Sequence, residues 1–205
     1  MTKIMDLVNL LKNNRILIKS DNVFDKIRCF TKIEWNVKGV GNNVVIGKID
    51  SQSKFTIRMI GDNNTIIIGN NCLLRGGELR TDLGSNIEIG SGTRIGGATI
   101  HAGTGTSIVI GKECLLSHDI DMRSSDGHYI YKKDNKRETI NKPSDIHIGN
   151  KVWIGARVQC LKGTYISDNS VVGASSLVTK KFDEPNVVIA GHPAKIINRE
   201  IFWKR

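Results

Sequence analysis

Among the titratable side chains of this 205-residue chain, His128 stands in the setting best suited to chemistry. It lies in Asp126-Gly127-His128, within SSDGHYIYKKDNKRETINKPSD (124–145), a polar and charged stretch between regular aliphatic ones. An imidazole changes charge near neutral pH and can take a proton from a hydroxyl, so a histidine on a glycine-bearing loop is a candidate general base. The plain alternative is a surface histidine. Asp126, Glu138 or a backbone carbonyl could hold its second ring nitrogen. No Cys or Ser stands beside it in a nucleophile pattern, so no covalent enzyme intermediate is expected. The remaining histidines, His101, His118, His147 and His192, are spaced without a close pair. A zinc site needs several converging ligands, so no metal is expected.

The element that must position such a loop is read from 145–179. Every sixth residue from Ile148 is small or branched and apolar: Ile148, Ile154, Cys160, Ile166, Val172 and Val178. Four residues after the first five stand Val152, Val158, Thr164, Ser170 and Ser176. A helix repeats every 3.6 residues and a strand every two, so this period marks an all-β parallel β-helix, a prism whose short strands stack coil on coil. The phrase I-x-I-G recurs upstream, with glycines at Gly47, Gly69, Gly90, Gly111 and Gly149 and gaps of 22, 21, 21 and 38 residues. These glycines suit corners that need positive φ or close backbone approach. The early coils carry extra residues, expected at corners such as Arg75-Gly76-Gly77 or Ala102-Gly103-Thr104. The gap of 38 holds the His128 loop. Long insertions in a regular scaffold are commonly functional or disordered.

One domain is expected over 1–205, with an N-terminal cap at 1–20, coils over 40–179, the loop insertion 124–145 and a tail at 180–205. Ile4, Leu7, Val8 and Leu11 have helical spacing and predict a short helix covering the first coil. The tail predicts a strand over Val187–Ala190, a turn at Gly191-His192-Pro193 and then a helix docked through Ile196, Ile197, Ile201 and Trp203. Lys3, Asp6 and Asn9 break the N-terminus, so no signal-peptide core is seen, and no stretch is long enough to span a bilayer. A soluble, cytoplasmic protein without stable membrane insertion is expected. Aromatics are only 5%, with 21 Gly, which suits a narrow prism. Cys72 and Cys114 occupy equivalent places about two coils apart, roughly 9–10 Å at the usual strand spacing and too far for a disulfide. With Cys160 they read as small buried hydrophobes. The net charge of +10 is either a solvated lysine-rich surface or an attraction to a polyanion. An acidic polysaccharide or a phosphate-bearing cofactor fits better than nucleic acid, for which no motif is present.

The segments IGKECLLSHDIDMRSSDGHYIY, INKPSDIHIGNKVWIGARVQCLKG, NSVVGASSLVTKKF and VVIAGHPAKII together resemble the hexapeptide-repeat O-acetyltransferases. The likeness spans roughly 60–203 and is greatest to the branch acting on capsular polysaccharides, polysialic acid included. This resemblance implies a left-handed β-helix, where the general crossover rule would predict a right-handed one. It further implies a homotrimer, acetyl-CoA as donor and active sites between subunits. Carried over by position, it makes His128 the catalytic base and Trp153 the flank of the pantetheine arm. Gly155, Ala156, Ala174 and Thr179 fall where backbone meets the coenzyme, and Lys180 and Lys195 near its phosphates. Trp153 could instead cap a corner, and Lys180 could be solvated charge. An asparagine of the related small-sugar enzymes is replaced here by Asp119, so His118 and Asp119 are expected at the acceptor side. Oxyanion donors are expected from a corner such as Gly155-Ala156. The expected activity is direct acetyl transfer to a sugar hydroxyl of an anionic surface polysaccharide. The alternatives are N-acetylation of an amino sugar, a non-catalytic β-helix scaffold, and a zinc β-helix of the γ-carbonic anhydrase kind.

Overall fold

The computed structural model describes residues 13–19 and 22–204. The predicted N-terminal helix, with Ile4, Leu7, Val8 and Leu11, lies outside these residues. The described chain winds through three sheets of eight, seven and seven strands, parallel but for the last strand of the chain, and from Thr65 onward each coil visits them in a fixed order. Face 1 includes Asn43–Ile46, Ser107–Ile110, Ile146–Ile148 and Tyr165–Ile166. Face 2 holds the short strands Leu115–Leu116, Trp153–Ile154 and Val171–Val172, and face 3 holds Ile120–Arg123, Gln159–Leu161 and Leu177–Val178.

Strand pairing puts one aliphatic column inside each face. On face 1, Ile46, Ile68, Ile89, Ile110, Ile148, Ile166 and Phe182 are in register on successive coils. Leu116, Ile154 and Val172 do the same on face 2, and Ile100, Met122, Cys160 and Val178 on face 3. All are buried, as are Val152, Val158, Thr164, Ser170 and Ser176, so the six-residue period is the inward period. Cys72 and Cys114 are buried two coils apart, with Thr93 between them, and all four cysteines are free thiols. Burial pushes the Cys160 thiol up to about 12 and Cys114 to about 11.

The repeated glycines lie at the corner from face 1 to face 2, and close approach is what requires them. A Cβ on Gly111 would lie 2.5 Å from the Gly149 carbonyl oxygen one coil on. The left-handed conformation falls two residues later and is taken by Asn71, Glu113 and Lys151 as well as Gly92. There the N–H of Glu113 donates to Ser91 O at 2.9 Å and that of Lys151 to Lys112 O at 2.8 Å, which ties coil to coil.

The structure differs from the sequence expectation at three places. Arg15–Ile18 already forms the first face 1 strand, and a helix, Val23–Lys32, follows it. Asn22 caps that helix, its Oδ1 accepting from Phe24 N at 2.8 Å, and Asp25 and Lys32 complement its ends. Some extra residues of the early coils lengthen face 3 strands, as in Phe55–Ile60 and Gly77–Thr81, and so are not all at corners. The helix predicted after Pro193 is a strand, Ala194–Asn198, antiparallel to Val188–Gly191. It pairs with the last strand of face 2 and covers a hydrogen-bonding edge that a helix could not satisfy. Ile196 packs on the core, whereas Ile197 points outward. Among the described residues, no helix is long and apolar enough to cross a membrane.

Candidate active site

Two corners of the prism carry most of the residues singled out from the sequence. At the corner from face 2 to face 3, Ser117-His118-Asp119, Gly155-Ala156-Arg157 and Gly173-Ala174-Ser175 stack on successive coils. Asp119, Arg157 and Ser175 all take left-handed φ, at 56°, 58° and 59°. This turn lets Arg157 N donate to His118 O at 3.0 Å and Ser175 N to Ala156 O at 2.8 Å. Gly155 has no freedom to gain a side chain, since a Cβ there would meet Ala174 N at 2.7 Å. Its N–H donates to Val172 O at 2.8 Å, so it is not the oxyanion donor expected of it. The N–H groups of Ala156 and Ala174 donate to no group among the described residues. His118 Nδ1 lies 2.9 Å from Asp119 Oδ2, with both side chains exposed.

Trp153 leads into this corner on the outer side of face 2, in register with Leu115 below and Val171 above. Its indole is 41% exposed. Trp203 stands beside it, with ring centroids 6.1 Å apart and planes tilted by 45°, anchored by a 2.9 Å bond from its Nε1 to Lys151 O. The sequence singled out Trp203 only as a docking residue of the tail. A contact across fifty residues leaves no local spacing to read.

The second corner, from face 3 to face 1, carries the loop. Its base is closed by Ser144 N donating to Ser124 O at 3.0 Å, and its outer part is an antiparallel ribbon pairing Tyr131–Lys132 with Asn135–Thr139. His128 is exposed beside the ribbon, and its ring makes no hydrogen bond to another described residue. Neither suggested carboxylate holds it. Glu138 pairs with Lys132 at 2.8 Å, and Asp126 is bonded to Lys162 and Asn141. The Lys162 ammonium, then the Asn141 amide, hold the Asp126 carboxyl below its usual range. Thr179 and Lys180 sit at the same corner on the last coil, where the Lys180 ammonium lies 5.4 Å from the Phe182 ring centre. Lys195 is elsewhere, exposed on the terminal hairpin opposite Ala190.

Of the remaining histidines, His101 bonds Asp82 at 2.8 Å and His147 stacks on Tyr165 at 5.0 Å. A cavity of about 70 Å³ lies beside the helix Val23–Lys32 and not among the candidate residues. Within one chain, then, His118, Asp119, Ala156 and Ala174 gather on one margin of face 3, with Trp153 just before it. His128, Thr179 and Lys180 gather on the other margin. The strands between are two to four residues long, roughly 7–14 Å of chain. A flat face with functional groups along both margins can position two reactants, but it has no second wall to enclose them.

No family model matches the chain. It is 35% identical over 194 residues to the polysialic acid O-acetyltransferase of Neisseria meningitidis, an alignment covering 83% of this chain and 89% of that one. Its fold matches the crystal structure of the polysialic acid O-acetyltransferase OatWY with a TM-score of 0.67 and 30% identity, over 94% of this chain and 88% of that one. It matches the polySia specific acetyltransferase NeuO with a TM-score of 0.69 and 27% identity, over 94% and 77% of the two chains. The solenoid is accordingly left-handed, and the chain belongs to the hexapeptide-repeat O-acetyltransferases.

Proposed function

We propose that this chain moves an acetyl group from acetyl-CoA to a hydroxyl of an anionic, sialic-acid-containing surface polysaccharide, with His128 as general base. The observation that carries the reading is the 35% identity, over 83% of this chain and 89% of the relative, to an enzyme named for that acceptor. The residues present fit such a donor. Ala156 is half-buried and Ala174 exposed, their two N–H groups donate to no described residue, and the half-exposed Trp153 offers an apolar flank beside them. Lys180 and Lys195 supply ammonium groups suited to phosphate. When bound, acetyl-CoA supplies the acetyl group as an already activated thioester.

The chain's own part is to hold, orient and move a proton. His128 Nδ1 or Nε2, whose ring has no competing partner, takes the proton of the acceptor hydroxyl as that oxygen bonds to the acetyl carbon, and returns it to the departing sulfur as the C–S bond breaks. Across the proposed subunit boundary, where opposite margins of face 3 meet, an Ala156 N–H faces negative charge developing on the carbonyl oxygen, a contribution typically worth ~10²–10³ in rate. Transfer is direct. Cys72, Cys114 and Cys160 are buried with raised thiol pKa values, and Cys29, likewise raised to about 11, lies within the helix Val23–Lys32, away from the candidate residues. A neighbouring copy in a homotrimer supplies the wall that face 3 lacks, bringing its own margin against this one.

The test is thiol release from acetyl-CoA across an acceptor panel of sialic acid polymer, short sialic acid oligomers, neutral sugars and amino sugars. Release with the sialic acid acceptors supports the proposal, and a preference for amino sugars replaces it with N-acetylation. Because the chain carries +10, the KM for the polymer should rise with salt on the scale of ordinary ionic screening while that for a neutral sugar stays flat.

A further inference from the structure

We infer that Asn141 and Lys162 are the positioning residues of the candidate base: together they tie the backbone at and just after His128, and the Asp126 carboxylate before it, to the coil above. The inference rests on the reading of His128 as general base. Asn141 uses its whole side-chain amide at the neck of the loop. Its Nδ2 donates to His128 O at 2.8 Å and to Asp126 Oδ2 at 2.8 Å. Its Oδ1 accepts from Ile130 N at 2.6 Å and from Thr139 Oγ1 at 3.2 Å. The carbonyl of His128 and the amide two residues later are thus gripped by one planar group.

Lys162 connects that group to the prism. It follows the face 3 strand Gln159–Leu161 on the next coil, and its ammonium donates to Asp126 Oδ2 and, at 3.1 Å, to Asn141 O. Its side chain is 23% exposed, the least exposed lysine among the described ion pairs. These bonds join the loop to the prism through side chains and lie outside the backbone ladder between coils. The loop interrupts the solenoid, and its strands pair only with each other, so removing them leaves the coil-to-coil ladder intact. Position matters more than strength, because an error of about 1 Å in placing a catalytic group can cost ~10² in rate. A base whose ring has no partner of its own depends on its backbone for that placement.

The experiment uses the full-length protein and compares Lys162→Met, Lys162→Arg, Asn141→Ala and His128→Ala with wild type. It reads kcat, the KM for acetyl-CoA, the thermal midpoint and hydrogen exchange at the Ile130 amide. Lys162→Met and Asn141→Ala are each expected to lower kcat by ~10–10² with the KM for acetyl-CoA within about twofold and the midpoint little changed. Exchange at Ile130 should accelerate in both, and Lys162→Arg should recover most of the rate. A kcat near wild type in both variants overturns the inference. So does a lowered midpoint with undiminished kcat, which would mark the cluster as purely structural. If His128→Ala turns over like wild type, the base assignment itself falls and takes the positioning role with it.

Discussion

Placing an alanine at Gly111 tests how tightly the coils are stacked. The added Cβ would lie 2.5 Å from Gly149 O, 2.6 Å from Gly149 C and 2.8 Å from Asn150 N, all backbone atoms of the next coil. A flexible side chain could move away, but these atoms are held by Gly111 N to Ile148 O at 2.8 Å, Lys112 N to Asn150 Oδ1 at 2.9 Å and Lys151 N to Lys112 O at 2.8 Å. Relief means parting the two coils at this corner. Overpacking of this kind costs ~1–3 kcal/mol, and losing one or two backbone bonds adds ~1 kcal/mol each. The sum is ~2–5 kcal/mol, against a total stability of ~5–15 kcal/mol for an ordinary domain. Gly76 is the internal control, since a Cβ there meets only Gly96 O at 3.8 Å and its φ is not positive. Gly76→Ala should be neutral or stabilising by up to ~1 kcal/mol. Urea unfolding followed by circular dichroism measures both. Gly111→Ala within about 0.5 kcal/mol of wild type, well under the overpacking range, would refute the close-approach argument.

Two further outcomes follow from the site. Trp153→Ala should raise the KM for acetyl-CoA by ~10-fold, because it removes an apolar flank, with little loss of stability from a side chain 41% exposed. Titration calorimetry with CoA checks this, and unchanged affinity would make Trp153 a corner cap only. The Asp126 carboxyl is held below its usual value by Lys162 and Asn141, so its contribution is present above the unfolded pKa of ~3.9. It is lost as the pH falls through the lower folded value. Limited proteolysis within 124–145 should therefore be slow from neutral pH down to about pH 4 and accelerate only below that. Acceleration already at pH 6 would show that another group holds the loop.

Much of the architecture could be read from residue spacing. The six-residue period from Ile148 to Val178 depends only on which side chains point inward, and that information is local. What spacing does not show is set by contacts between distant segments. Ile196, Ile197 and Ile201 have helical spacing, yet the unpaired edge of Val188–Gly191 drew the tail into a strand. The helix Val23–Lys32 carried a readable signal, with Asn22 before it and Asp25 in its first turn, but the irregular repeat around it obscured that signal. His128 is legible because it breaks a pattern. Asn141 and Lys162, which hold the backbone beside it, are not, since the bond between them crosses 21 residues and the coil above supplies the lysine. The split of the candidate residues between two margins of face 3 is likewise a product of coil stacking.

The most direct test of the central claim is single-turnover transfer from acetyl-CoA to sialic acid polymer by wild type and by His128→Ala at neutral pH, with binding of both reactants measured separately. The account requires a loss of at least ~10² in the transfer step with both affinities retained, the usual scale for removing a general base. A His128→Ala protein that transfers acetyl at the wild-type rate would contradict it.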